Sequence, residues 1–346
     1  MKFLRILIVL AILLSIAYLL GPQPDRPVFK KNMPQVKDTG SVLQEWVSHK
    51  EARYKLKPDN QARIVWANDS MKIRTPVAVV YLHGFSASQK EGDPVHLDFA
   101  KRYGCNMYLS RLDGHGVDTT EALSTMTAQS LWESTKEAYA IGKQLGEKVI
   151  IMGTSTGGTL ALMLAAEYPE ISGIILMSPN IAINDPNAFL LNNHWGLQLA
   201  RMVKKSNYIE PVDKRPDALQ YWSAPYRLEA AVQVEELVEE TMLPATFSRV
   251  KQPVLMLYYY KDEQHQDPVV KVSAMKEMFS ELGTPSEKKR SIPVPNTGDH
   301  VIGSSIKSKD IPGVETEIYR FAENVLGLNP VPMSALNTDS TRTPLR

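Results

Sequence analysis

The segment Val149-Ile150-Ile151-Met152-Gly153-Thr154-Ser155-Thr156-Gly157-Gly158 constrains this chain more than any other. The four residues before Gly153 are β-branched or large and apolar, which predicts a buried strand. Gly158 to Glu167 is rich in Ala and Leu and is stopped by Tyr168-Pro169, which predicts a helix. Between them stands Gly-x-Ser-x-Gly. Glycines at 153 and 157 leave room for a serine held at strained backbone angles, and such a turn lifts Oγ out of the fold above the positive end of the helix. The five-letter pattern alone is common in ordinary loops. Its flanks set this copy apart.

Strands and helices alternate along most of the chain. Strands are predicted over 63–67, 77–82, 106–109, 148–152, 171–177, 253–258 and 290–294, and helices over 41–54, 127–146, 269–282 and 314–326. Short apolar strands separated by helices imply a mostly parallel sheet covered on both faces. Residues 181–246 break the rhythm. They hold no convincing strand but several helical patches, with aromatics such as Trp195, Tyr208, Tyr221, Trp222 and Tyr226. An insertion there reads as a helical cap over the end of the sheet where sites form. The expected organisation is an apolar segment at 1–21, a Pro- and charge-rich linker at 22–40, an α/β domain at 41–328 and a disordered tail at 329–346.

The N-terminal segment is a targeting or anchoring element. Lys2 and Arg5 precede the nearly unbroken apolar run 6–20. A secretory signal peptide has this form, but Ser15-Ile16-Ala17 is its only cleavage candidate and lies inside the run. An uncleaved membrane anchor better fits the continuation to Leu20-Gly21-Pro22, at the short end of the roughly 17–25 residues a span needs. Either way the domain is expected outside the cytoplasm, anchored to the membrane, or secreted or periplasmic if the segment is cleaved. No cysteine follows the run, which excludes a bacterial lipoprotein anchor.

Composition removes other classes. A net charge of +1 and the lack of a basic stripe interleaved with aromatics give no nucleic-acid footprint. The single cysteine, Cys105, rules out an intramolecular disulfide and a cysteine-based zinc site, and its apolar flank marks it as a buried structural thiol.

A nucleophilic serine needs a base, an orienting acid and donors for the oxyanion. Most lone loop histidines simply bond to backbone, but His300 follows the final predicted strand by a short Gly-containing loop, from which an imidazole can reach back over Ser155. His49 and His96 lie in helical stretches, and His194 and His265 in polar ones. The acid should follow strand 253–258, where Asp262 and Asp267 compete; Asp267 is preferred because Asp267-Pro268-Val269-Val270 opens the next helix. The loser is then a solvated loop carboxylate. The expected oxyanion donors are the N–H of Thr156 and that of Phe85, in the loop His83-Gly84-Phe85. His115, in Asp113-Gly114-His115-Gly116, reads as structural.

Taken in order over residues 60–326, His83-Gly84-Phe85, Asp113 to Gly116, Gly153 to Gly157, Asp267 to Val270 and Gly298-Asp299-His300 resemble the α/β-hydrolase superfamily, within it the monoacylglycerol lipase and carboxylesterase group. The resemblance implies a triad of Ser155, an Asp and His300, with Phe85 and Thr156 as oxyanion donors. The chain departs from the common pattern at the acid. Many relatives have a glycine two or three residues before it, where this strand runs into Tyr258-Tyr259-Tyr260-Lys261. The expected activity is hydrolysis of carboxylic esters, acylglycerols or other lipophilic acyl esters, through an acyl-enzyme and with no metal or organic cofactor. Two alternatives stand beside it: an acyltransferase, amidase or peptidase on the same triad, and a non-catalytic ligand-binding protein on a hydrolase scaffold.

Overall fold

The computed structural model describes residues 2–332. Its strands are β1 (Arg63–Val65), β2 (Thr75–Leu82), β3 (Asn106–Leu109), β4 (Gly146–Thr154), β5 (Gly173–Met177), β6 (Tyr208–Ile209), β7 (Tyr226–Arg227), β8 (Val254–Tyr258) and β9 (Lys289–Pro293). Its helices are α1 (Lys2–Leu19), α2 (Gly40–Glu51), α3 (Val95–Tyr103), α4 (Ala128–Leu145), α5 (Thr156–Glu167), α6 (Gly196–Lys204), α7 (Pro216–Tyr221), α8 (Leu228–Thr241), α9 (Pro244–Phe247), α10 (Val272–Glu281) and α11 (Ile311–Asn324).

Alternate residues of the apolar runs feed two separate cores, one on each face of one sheet. Val80 and Leu82, Ile151, Leu176 and Met256 pack with buried residues of α2, α4, α5, α8 and α10. Their neighbours Val79 and Tyr81, Ile150 and Met152, Ile175 and Leu255 pack with α3 and α11. Strands buried on both faces read as continuous apolar runs, as these do. The sheet order is β1-β3-β2-β4-β5-β8-β9, with β1 antiparallel to β3 and the other pairs parallel. After β2 the chain steps one way to β3 and then back across to β4. Strand order therefore reverses between β2 and β4, the position where open α/β sheets gather their sites.

The insertion after β5 departs from the reading of a strand-free segment. It carries α6 to α9, but also the two-stranded pair β6–β7, with Tyr208 opposite Arg227 and Ile209 opposite Tyr226. Pairs this short leave little alternation to read.

Residues 22–39 hold no helix or strand, yet they lie along the domain as a strap. Phe29, Met33 and Val36 pack on the core. Trp132 Nε1 donates to Lys30 O (2.7 Å), Lys136 Nζ to Asn32 O (3.0 Å) and Gln144 Nε2 to Val36 O (2.8 Å), so the strap follows α4 from its first turn to its last. At the other end of the chain, residues 329–332 run without regular structure. Val331 N–H donates to Arg102 O at 2.9 Å. The rest of the expected tail, 333–346, lies outside the described residues.

Candidate active site

Ser155 is the residue between β4 and α5, and its φ of 52° and ψ of −120° lie where L-residues rarely sit. Such a conformation costs roughly 1–3 kcal/mol and persists only when its surroundings hold it. They do so here. Ser155 N–H donates to Met177 O (3.0 Å), and Ser155 O accepts from Gly158 N–H (2.8 Å) and Asn180 N–H (3.0 Å). The glycines are needed for close approach. A Cβ on Gly153 would stand 2.4 Å from Gly157 O, and one on Gly157 would stand 2.0 Å from Leu82 O. The elbow is thus wedged between the ends of β4 and β2, with the first amide of α5, Thr156 N–H, unbonded within the helix.

The loop after β2 is braced on both sides of Phe85. Gly84 N–H donates to Glu91 Oε2 at 2.5 Å, and Ser86 N–H donates to His115 Nε2 at 3.0 Å. Both neighbours of Phe85 therefore have their amides occupied, while Phe85 N–H has no acceptor among the described residues. Two buried imidazoles fix this arrangement. His83 Nε2 accepts from Leu112 N–H (3.1 Å) and its Nδ1 donates to Gly84 O (2.8 Å). His115 Nδ1 likewise donates to Asp113 O (2.9 Å). Burial drives the pKa of His83 well down and that of His115 to about 4, so both rings are neutral braces.

His300 and Asp267 are brought together from the loops after β9 and β8. His300 Nδ1 donates to Asp267 Oδ2 at 2.6 Å, and Asp267 Oδ1 accepts from Val269 N–H (2.8 Å) and Val270 N–H (3.0 Å). Those amides come from the Asp-Pro-Val-Val step. Burial alone would raise the Asp267 carboxyl, but the His300 charge and hydrogen bond and the two amides hold it below the usual carboxylate range. For His300, burial pulls the pKa down and Asp267 more than reverses it, so the imidazole titrates above its ordinary value. Asp262 stands elsewhere. It is exposed and closes its own loop on His265, with Oδ1 accepting from His265 N–H at 2.8 Å.

One residue at this site escaped the sequence reading. Glu91, in the polar run Gln89-Lys90-Glu91-Gly92, is only 2% exposed. It holds Gly84, and its ionised form is favoured by the neighbouring Trp222 side chain of the insertion and by the charge of His300. A Cβ on Gly84 would lie 2.9 Å from both Glu91 Oε2 and Ser155 Cβ, so this carboxyl and the elbow crowd the same glycine. Burial raises its pKa to about 7, against the opposing pull of Gly84 N–H and His300. In return, ionised Glu91 helps to raise the pKa of His300. Glu91→Gln is therefore expected to leave the fold intact, because the amide oxygen still accepts from Gly84. It should move the acid limb of the kcat/KM profile to lower pH. An unmoved limb would separate Glu91 from the His300 titration.

Ser155 and His300 are each 7% exposed. The insertion touches the braced loop directly: Ser223 N–H donates to Ser86 O (2.6 Å), and Tyr226 stacks edge-on against Phe85 with ring centroids 4.9 Å apart. An open cleft of about 690 Å³ between the strap and α4 lies away from these groups; Thr127, Gln129 and Glu133 are among the residues that line it.

The sequence model of the family described as serine aminopeptidase, S33, matches residues 74–293, from the edge of β2 to the end of β9. A thermostable monoacylglycerol lipase of Bacillus sp. (strain H-257) is 31% identical over 198 residues, 56% of this chain and 72% of that protein. Among solved structures, one reported for the metagenome-derived lipolytic enzymes LipS and LipT superposes with a TM-score of 0.59 at 18% identity, covering 77% of this chain and 98% of that one. The monoacylglycerol lipase of Paleococcus ferrophilus gives 0.54 at 17% identity, with 74% and 96% covered. At such identities the structural likeness is one of fold.

Proposed function

The chain belongs to the serine aminopeptidase, S33, family of hydrolases and has its α/β-hydrolase fold, and from that premise we propose that it is a serine carboxylesterase acting on lipophilic acyl esters such as acylglycerols. In this reading Ser155 Oγ attacks the ester carbonyl while His300 Nε2 takes its proton. Asp267 fixes the Nδ1–H tautomer and supports the imidazolium. The N–H groups of Phe85 and Thr156 receive the oxyanion, His300 returns the proton to the leaving alcohol, and water then releases the acid from the acyl-enzyme. The observation that carries this reading is the braced loop: between two occupied amides, the one left free belongs to Phe85, across from the serine elbow.

The choice of an ester over a peptide bond draws on the Bacillus relative, whose name specifies a monoacylglycerol substrate, whereas the family's description names an aminopeptidase. We read residues 181–246 as a cap, 22–40 as the connection to a membrane anchor at 1–21, and the domain as lying outside the cytoplasm. Support for the anchor comes from α1, which is long and apolar enough to cross a membrane by length and composition.

A series of p-nitrophenyl and glycerol esters, run beside aminoacyl anilides and with competing alcohols, tests the assignment. Esters are expected to turn over fastest, with a preference for medium or long acyl chains and free acid as the product. Faster anilide cleavage would make the protein a peptidase. Transfer to alcohol in preference to water would make it an acyltransferase.

A further inference from the structure

Two exposed apolar features that the proposed chemistry does not use lie side by side: helix α1 and the outer face of α6. None of the residues of α1 is buried. Its last turn is nonetheless held against the insertion. Trp195 Nε1 donates to Ala17 O (3.0 Å), Trp195 N–H to Pro22 O (2.8 Å) and His194 Nδ1 to Gly21 O (2.7 Å), with the ring of Tyr18 edge-on to His194 at 5.3 Å. A Cβ on Gly21 would stand 2.0 Å from Trp195 Nε1, so any larger residue there would displace the indole from this contact. From here the strap descends α4 from its first turn, and that turn follows the loop leaving the C-terminal end of β3. Helix α1 therefore leaves the molecule at the end of the sheet where Ser155 stands.

Trp195 also begins α6. Along that helix Leu199, Met202 and Val203 fall on one side at i, i+3 and i+4, with Met202 68% and Val203 71% exposed. The other side faces the protein, where Arg201 pairs with Glu229 at 2.6 Å. Lys204 and Lys205 end the helix, both exposed and without an ion pair among the described residues. A helix with an apolar stripe, a basic end and a tryptophan at its start has the character of one that lies in the headgroup–acyl boundary of a bilayer.

We propose that α1 and α6 form a single membrane seat. The occupant of the Leu199–Met202–Val203 face is the phospholipid bilayer that α1 crosses, because Trp195 joins the two features and the strap leaves no freedom between them. The inference rests on α1 being a retained membrane helix, and the test keeps the two apart. Full-length protein with Met202→Cys, labelled with an environment-sensitive dye, is placed in phosphatidylcholine vesicles containing phosphatidylglycerol and spin-labelled lipids of defined depth. Co-sedimentation reports the anchor and dye quenching reports the seat. We expect co-sedimentation with strong shallow-depth quenching.

Co-sedimentation without quenching would overturn the seat and leave the anchor standing. Absence of co-sedimentation, with the N-terminus found removed, would overturn both. Dye shielding that follows protein density rather than lipid would assign the face to a second copy and overturn the proposal. As a second arm, the triple variant Leu199→Glu, Met202→Glu, Val203→Glu should still co-sediment and hydrolyse a short soluble ester at the parental rate. Its hydrolysis of a vesicle-embedded ester should fall about tenfold or more, the order expected for removing three partly buried apolar side chains. An unchanged rate on the embedded ester would also overturn the seat.

Discussion

Replacing Ser155 by alanine is expected to lower kcat/KM for a short p-nitrophenyl ester by roughly 10⁴-fold or more, and to abolish labelling by a fluorophosphonate. The substitution removes one oxygen from an elbow whose backbone is pinned by Met177, Gly158 and Asn180, so the braced loop and the Asp267–His300 pair should remain in place. Those survivors matter for the magnitude, because oxyanion donors and binding alone retain a residual rate over water. Nor is a substitute at hand, since the neighbouring Thr156 hydroxyl is buried with no hydrogen-bond partner among the described residues. Undiminished labelling of the alanine variant would mean that another residue is the nucleophile.

The second large effect belongs to Asp267→Asn, for which kcat should fall by roughly 10⁴-fold while the protein still folds. An amide cannot hold the Nδ1–H tautomer as the carboxylate does, and it no longer supports a positive imidazole. The sign of the accompanying pH effect is fixed by the balance at His300. Burial lowers that pKa and Asp267 raises it above the ordinary value, so the wild-type acid limb should lie above the pH of a free imidazole. Without the carboxylate, burial prevails, and the limb of the residual activity should move to lower pH. Asp262→Asn is the matched control. Its carboxylate is exposed and engaged with His265, so rate and limb should both stay at parental values. A large loss from Asp262→Asn with none from Asp267→Asn would reverse the assignment of the acid.

The contrast between these two carboxylates shows what a sequence can and cannot reveal about such a site. Residues buried by repetition were legible: the runs that became β2, β4, β5 and β8 declare themselves by continuous apolar character, and the elbow by its position between a strand and a helix. Both aspartates, by contrast, lie in the loop after β8, and only the path of that loop decides which turns inward. Glu91 was hidden because a charged residue between Lys90 and Gly92 looks solvated. Its carboxyl is turned inward to Gly84 N–H, seven residues back, and its pKa is influenced by Trp222, far along the chain. The strap was hidden by its composition. Its prolines and lysines read as a linker, while Phe29, Met33 and Val36 supply an apolar edge too sparse to signal helix or strand.

That strap also governs how far the domain can wander. A flexible chain of its length would have a root-mean-square reach of roughly 20 Å, enough for the domain to tumble freely relative to α1. Hydrogen-bonded to α4 along its course, it behaves instead as a leash without slack. On the proposed reading of α1 as a membrane helix, the domain's orientation is set once, at folding, and the search for substrate narrows from a volume to a plane.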